Sequence, residues 1–259
     1  MKRFIILFLT ILMIVALMSC QVRGAEKEVF FIECDGIIYT YQNKDELLPI
    51  INEQLKVMDT AHLMAESARS LGYKEEHDII LIAQQEYKDA EKVYRKYLGV
   101  YNQIVEEYNL RWAKRKEEYP NASYIWLYLQ AQGYNEYVCA GILGNMMAES
   151  GGQTFKIQPE VKDSTNSFYG ICQWSKKYYP TVWDASLESQ CEFLVNNIES
   201  EFAVFSKNYK KDFSFQDFLK IENEREAAKC FALVYERCGK QSYSKRQDNA
   251  EKAYSYFAD

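Results

Sequence analysis

Histidine is almost missing from this sequence of 259 residues, which holds only His62 and His77. Neither has a companion at ligand spacing, so no metal centre is expected, and no motif calls for a cofactor. Lysine and arginine never gather into a long block, and the net charge is −6. That argues against nucleic acid as a partner, because phosphate backbones are met by clustered cations. No CxxC pair occurs among the seven cysteines. The longest apolar run, Phe4 to Met18, falls short of the roughly 20 residues that a membrane-spanning helix needs.

That run, preceded by Lys2-Arg3, has the length of a signal-peptide core, so residues 1–25 are expected to direct export. It ends in Leu17-Met18-Ser19-Cys20, which resembles a bacterial lipobox with Cys20 as the lipidated residue. Soluble secretion after Gly24 or Ala25, or an uncleaved anchor, fits the same residues. Either way the expected place is extracytoplasmic, in the cell wall or on the outer face of the cytoplasmic membrane. A lipid or signal anchor would make the membrane a partner. Six further cysteines remain: Cys34, Cys139, Cys172, Cys191, Cys230 and Cys238. An even number in an exported chain allows disulfides, while buried free thiols fit equally well.

What the chain has in abundance is tyrosine, 21 of them. Tyrosine-rich surfaces suit sugars, although tyrosine at helical spacing more often packs. Residues 26–45 should hold a short β-hairpin, since Val29 to Tyr41 reads as two β-rich runs around Asp35-Gly36, a dipeptide that tolerates positive φ. Residues 46–119 read as an antiparallel helical hairpin, a coiled-coil-like stalk. Its first helix, Glu46 to Ser70, shows Leu48, Ile51, Leu55, Met58, His62 and Ala65 at three-four spacing, which places His62 on the packed seam. The second, Glu75 to Glu118, carries Ile80, Ala83, Tyr87, Ala90, Tyr94, Tyr97, Tyr101, Ile104 and Tyr108 in heptad rhythm. It overhangs its neighbour, and the surplus could meet the β-hairpin, the following domain or a second copy. Self-association or docking to an envelope complex is the role expected of such a stalk.

Pro120 marks a boundary, because proline disfavours helix for the residue before it. Residues 120–259 then read as mostly helical, with Ser123 and Asn135 as caps and one irregular or β excursion from Gly151 to Trp174. The fold class is therefore mainly α. Within this part an apolar helix from Glu136 delivers a single carboxylate, Glu149, into Gly151-Gly152. A helix C-terminus disfavours negative charge, and desolvation by Tyr169 and Trp174 would add to this, so Glu149 has the setting of a general acid. Met64-Ala65-Glu66-Ser67 repeats the letters around Glu149, but Glu66 has neither the glycines nor an aromatic-glutamine segment after it and reads as a solvated charge.

Three segments in order, AGILGNMMAESGG, YGICQWS and YERCGKQSYSKR with Ala250 beyond, resemble the phage tail lysozyme family of the lysozyme-like superfamily, which includes goose-type lysozymes and lytic transglycosylases. The resemblance covers about residues 123–258. It implies an α-rich lysozyme-like domain that cleaves the β-1,4 bond between N-acetylmuramic acid and N-acetylglucosamine in peptidoglycan strands, with Glu149 as the acid. Ser150 and Gln173 match positions that line the substrate site, Gln173 bonding substrate or a neighbouring backbone, and Tyr169 and Trp174 are expected to bind substrate as walls of the cleft. Glu236 and Arg237 are expected to form a structural ion pair. Glu160 and Asp163 are candidates by position for a second carboxylate; a transglycosylase would need none. Cys238 stands where the family tends to have proline, and Lys176-Lys177 where Gly-Arg is common. The alternative is a wall-binding scaffold, or an assembly subunit of an envelope complex, whose lysozyme-like domain holds glycan without cutting it.

Overall fold

The computed structural model describes residues 31–258; the expected signal segment, residues 1–25, and Cys20 lie outside the described residues. The chain is mainly α, 67% helical, with eight helices and two small two-stranded sheets among the described residues. No helix there is long and apolar enough to cross a membrane.

Strands β1 (Ile32–Cys34) and β2 (Ile37–Tyr39) pair antiparallel, Cys34 opposite Ile37. The turn between them sets Asp35 at φ 53° and Gly36 at φ 79°, the left-handed conformation this dipeptide accommodates. A lone hairpin is only marginally stable, and this one leans on a helix. Cys34 and Tyr39 share a core with Leu47, Ile51, Val100 and Ile104, and Asp35 accepts hydrogen bonds from Lys96 and Tyr97.

Helices α1 (Leu47–Ser70) and α2 (Asp78–Glu118) form the helical hairpin. The face of α1 differs from the expected one. Leu47, Ile51, Ala61, Ala65 and Ala68 are buried, whereas Leu48 and Leu55 are exposed and so is His62. The alanines let α2 approach closely, which leaves no room on the seam for an imidazole. Glu66 is indeed a surface charge, paired with Arg69. On α2 the heptad residues Ile80, Ala83, Ala90 and Ile104 are buried, and the tyrosines are half-buried. The overhang of α2 meets the β-hairpin first, with Tyr108 stacked on Tyr41 at a centroid distance of 3.4 Å. Further along, Trp112 packs on Phe257 and joins the larger core.

Helix α3 (Pro120–Ala131) begins three residues before the expected cap. Pro120 occupies the first turn, where its missing N–H is no loss, and Ser123 is buried inside the helix with its hydroxyl unpartnered. Helix α4 (Glu136–Glu149) starts as expected: the Asn135 side chain accepts from the Val138 N–H at 2.9 Å. Every residue from Val138 to Met147 is buried, so α4 is the central helix of this part, apolar on all sides. Around it lie α5 (Leu187–Phe205), the single turn α6 (Phe215–Phe218), α7 (Glu224–Val234) and α8 (Tyr243–Phe257). Strands β3 (Phe168–Tyr169) and β4 (Trp174–Ser175) form the excursion, Tyr169 opposite Trp174.

Two glycines decide how closely the helices approach. A Cβ on Gly141 would stand 2.6 Å from that of Ala227 on α7, and one on Gly144 would stand 2.5 Å from the backbone nitrogen of Ala250 on α8. With no side chains between them, α7 and α8 rest on the backbone of α4. Their residues can therefore reach the end of α4.

All six cysteines among the described residues are free thiols, and all but the half-buried Cys238 are buried. Burial raises the pKa values of Cys139, Cys172, Cys191 and Cys230, that of Cys191 to about 12, so these four are inert packing groups.

Candidate active site

The last turn of α4 ends at Glu149, whose side chain keeps 20% of its surface exposed in an otherwise buried neighbourhood. Ser150 closes the helix. Its hydroxyl donates to the Met146 carbonyl at 3.2 Å and lies 3.4 Å from the Ile171 carbonyl, joining the helix end to the β3–β4 turn. That turn is tightly specified. Gly170 has φ 81° and packs against Gln190 of α5, whose buried amide accepts from the Ile171 N–H at 2.9 Å and donates to the carbonyls of Pro159 and Ala185. Gln173 sits in the left-handed region at φ 47°, a strained conformation of the kind that collects at functional sites. Its amide donates to the Gly170 carbonyl at 2.9 Å and to that of Val161 at 3.2 Å, so it bonds neighbouring backbone.

Tyr169 and Trp174 turn inward, at 2% and 4% exposure. The Tyr169 hydroxyl donates to the Ala185 carbonyl at 3.1 Å, and the Trp174 indole donates to the Tyr235 hydroxyl at 3.0 Å. Both brace the site from beneath. Of the two loop carboxylates, Glu160 is exposed. Asp163 accepts from the N–H groups of Thr165, Ser167 and Phe168 and from the Thr165 hydroxyl. The hydroxyl bond leads the causes that push its pKa down to about 2, and a carboxylate so occupied is a poor base. It holds its loop.

The group that meets Glu149 is Arg246, on α8. Its Nη2 donates to a Glu149 carboxylate oxygen, while Nη1 donates to the Asn145 side-chain oxygen at 3.0 Å. Asn145 is itself fixed, its amide donating to the carbonyls of Gly141 at 2.8 Å and Ala228 at 3.0 Å. The close crossing at Gly144 and Ala250 sets this up, because Arg246 lies one turn before Ala250 and Glu149 one turn after Asn145. Burial alone would lower the Arg246 pKa, but Glu236 and Glu149 outweigh it and hold the guanidinium above its ordinary value.

Glu236 departs from the ion pair expected of it. It does not pair with Arg237. Helix α7 stops at Val234, and Arg237 takes φ 51°, so the two neighbouring side chains diverge. Arg237 donates to Glu201 at 2.5 Å and to the Tyr179 hydroxyl at 3.3 Å. Glu236 instead turns in, with Oε1 fully buried and unpartnered and with the Cys172 thiol against its carboxyl. Burial first, and the charge of Glu149 second, push its pKa up to about 8 against the opposing pull of Arg246. Glu149, Arg246 and Glu236 thus form one electrostatic cluster between α4, α8 and the α7–α8 connection. Arg246 stands at the end of a segment singled out in the sequence, but only the helix crossing reveals what it touches.

A carboxylate ending a buried helix, a strained two-stranded turn carrying glutamine beside it, and helices packed behind it define a lysozyme-like domain. The sequence model of the phage tail lysozyme family matches residues 120–257, more than half of the chain, and the chain belongs to that family. A peptidoglycan-degrading role follows at the level of the family.

Proposed function

We propose that residues 120–259 form a glycosidase that cleaves the β-1,4 linkage between N-acetylmuramic acid and N-acetylglucosamine, with Glu149 as the general acid. The observation that carries this is the placement of Glu149. It is the carboxylate at the open end of the buried helix α4, joined through Ser150 to the Gln173 turn and held by Arg246. In that position it can protonate the leaving glycosidic oxygen as the sugar gains oxocarbenium character. Gln173 and Ser150 shape the floor of the site, Tyr169 and Trp174 hold that floor from below, and Asn145 with Arg246 fixes the carboxyl.

Two second halves are chemically open to this acid. A hydrolase would use a carboxylate to activate water, about 5 Å away if retaining and roughly 6.5 to 9.5 Å if inverting, and Glu160 is the loop carboxylate free to serve. A lytic transglycosylase would use the substrate's own acetamido or 6-hydroxyl group and leave an anhydro sugar.

In this reading the chain is exported, as Lys2-Arg3 and the apolar run Phe4 to Met18 support, with Cys20 as its lipid anchor. The stalk of residues 46–119 spaces the enzyme from its attachment or docks it to an envelope complex. A second reading, a domain that holds glycan without cutting it, draws on the same Arg246 pair, which presents Glu149 as an anion. The test is to incubate the full chain and Glu149→Gln with purified peptidoglycan and weigh the fragments. Release of disaccharide fragments by the wild type alone supports the enzyme; glycan binding without fragments from either supports the scaffold.

A further inference from the structure

In its pair with Arg246, Glu149 is the anionic partner, and an anion has no proton to give. A second carboxyl lies close by: Arg246 Nε is 3.4 Å from the Ser242 hydroxyl, which donates to the thiol of Cys238, two residues after Glu236. Glu236 lies near enough to Arg246 and Glu149 for the three charges to act on one another, and its buried Oε1 lacks a hydrogen-bond partner. The groups that face it come from every neighbouring element: Glu149 from α4, Cys172 from the β3–β4 turn, Arg246 from α8, and Tyr235 and Arg237 from its own segment, Arg237 being turned to Glu201. Two ionised carboxylates with one guanidinium would leave net negative charge in a largely buried place. A single proton makes the trio neutral, and like-charged carboxyls sharing a site commonly hold one proton between them.

We propose that Glu149 and Glu236 share one proton, which passes from Glu236 to Glu149 as Arg246 exchanges its ion pair between them. At rest the proton is on Glu236 and Arg246 is on Glu149. In the exchange an O–H bond of Glu236 breaks, an O–H bond forms on Glu149, and the guanidinium moves to the new Glu236 carboxylate. Net charge is zero before and after, so no charge is created in the buried space. Asn145 keeps hold of Nη1, so only Nη2 changes partner. Glu149 then gives the proton to the glycosidic oxygen, and the proton shed by the attacking water or sugar hydroxyl restores the cluster. Glu236 acts through Glu149 and does not meet substrate. The delivery step rests on the glycosidase reading above; the sharing does not.

Infrared difference spectroscopy of the full chain across pH tests the sharing. The wild type should show a protonated-carboxyl band at neutral pH that disappears with a midpoint of about 8. Glu236→Gln should lack that band. Glu149→Gln should lower the midpoint by about one unit or more, because the opposing charge is gone and Arg246 is released to Glu236. Kinetics with peptidoglycan test delivery: Glu236→Gln should lower kcat about a hundredfold with KM within about twofold, and Glu236→Asp should restore part of it. A band that survives in Glu236→Gln, or a midpoint unmoved in Glu149→Gln, would overturn the sharing. Wild-type kcat and pH profile in Glu236→Gln would overturn the delivery. Should Glu236→Gln fail to fold by circular dichroism, the wild-type and Glu149→Gln spectra decide the sharing and Glu236→Asp the delivery. A wild type that cleaves nothing while the band behaves as described would sink the glycosidase reading and leave the shared proton standing.

Discussion

Replacing Gly144 by alanine adds one methyl group where two helix backbones meet. The new Cβ would lie 2.5 Å from the Ala250 nitrogen and 2.8 Å from both the Ala250 Cα and the Arg246 carbonyl oxygen. These are backbone atoms, so no side chain can swing aside, and α8 must retreat by roughly 1 Å to reach ordinary contact distance. Overpacking of this kind costs about 1–3 kcal/mol, while alanine returns about 1 kcal/mol of helix propensity. The expected net loss is up to about 2 kcal/mol, a fall in Tm of up to roughly 8 °C for a chain of this size. Gly99 on α2 is the matched control. A Cβ there meets nothing within 4 Å, so Gly99→Ala should gain about 0.5–1 kcal/mol from propensity and unfolded-state entropy. Thermal unfolding of both variants beside the wild type reads the difference. The retreat of α8 would also draw Arg246 from Asn145 and Glu149, so Gly144→Ala should lose activity and Gly99→Ala should not. A Gly144→Ala protein as stable as Gly99→Ala would refute the close crossing and the placement of Arg246 derived from it.

Glu236 should make stability fall as pH rises. Its carboxyl titrates at about 8 when folded, against an ordinary 4.5, so between those values the native state holds the extra proton. The sign is therefore a stability fully present below 4.5 and lost progressively up to about 8, at most about 5 kcal/mol; denaturant titrations of Glu236→Gln should lack this slope. Asn145→Ala removes an acceptor from the buried Arg246 and the cross-helix bond to the Ala228 carbonyl, which should cost about 2–4 kcal/mol by chemical denaturation. Asp163→Ala should leave the helices intact yet speed proteolysis between residues 161 and 168, since the loop's amide bonds converge on that carboxylate. In the wild type the same loop should loosen only as pH falls toward 2, where Asp163 takes up its proton.

Local chemistry was the legible part of the sequence. Asn135 reads as a cap because its short side chain can reach an unpaired N–H, and Asp35-Gly36 reads as a turn because both tolerate positive φ. The tyrosine heptads on α2 pointed to a packed seam with α1, which is its partner over one half, and left three surfaces open to the overhang, of which the β-hairpin is the first it meets. On α1 apolarity misled: the exposed Leu48 and Leu55 outweigh the alanines that make the contact. Ser123 looked like a cap, but Pro120 fits the first turn better. Glu236 was hidden by its neighbour. Adjacent opposite charges suggest a pair, and nothing in an arginine announces the left-handed φ that parts them. Arg246 required knowledge of a helix crossing that two glycines permit.

The most direct test of the central claim is the mass of what peptidoglycan releases. With the full chain the account predicts fragments cut between N-acetylmuramic acid and N-acetylglucosamine, reducing ends marking a hydrolase and anhydro ends a transglycosylase, and no release by a folded Glu149→Gln variant. Equal release by wild type and Glu149→Gln would contradict it.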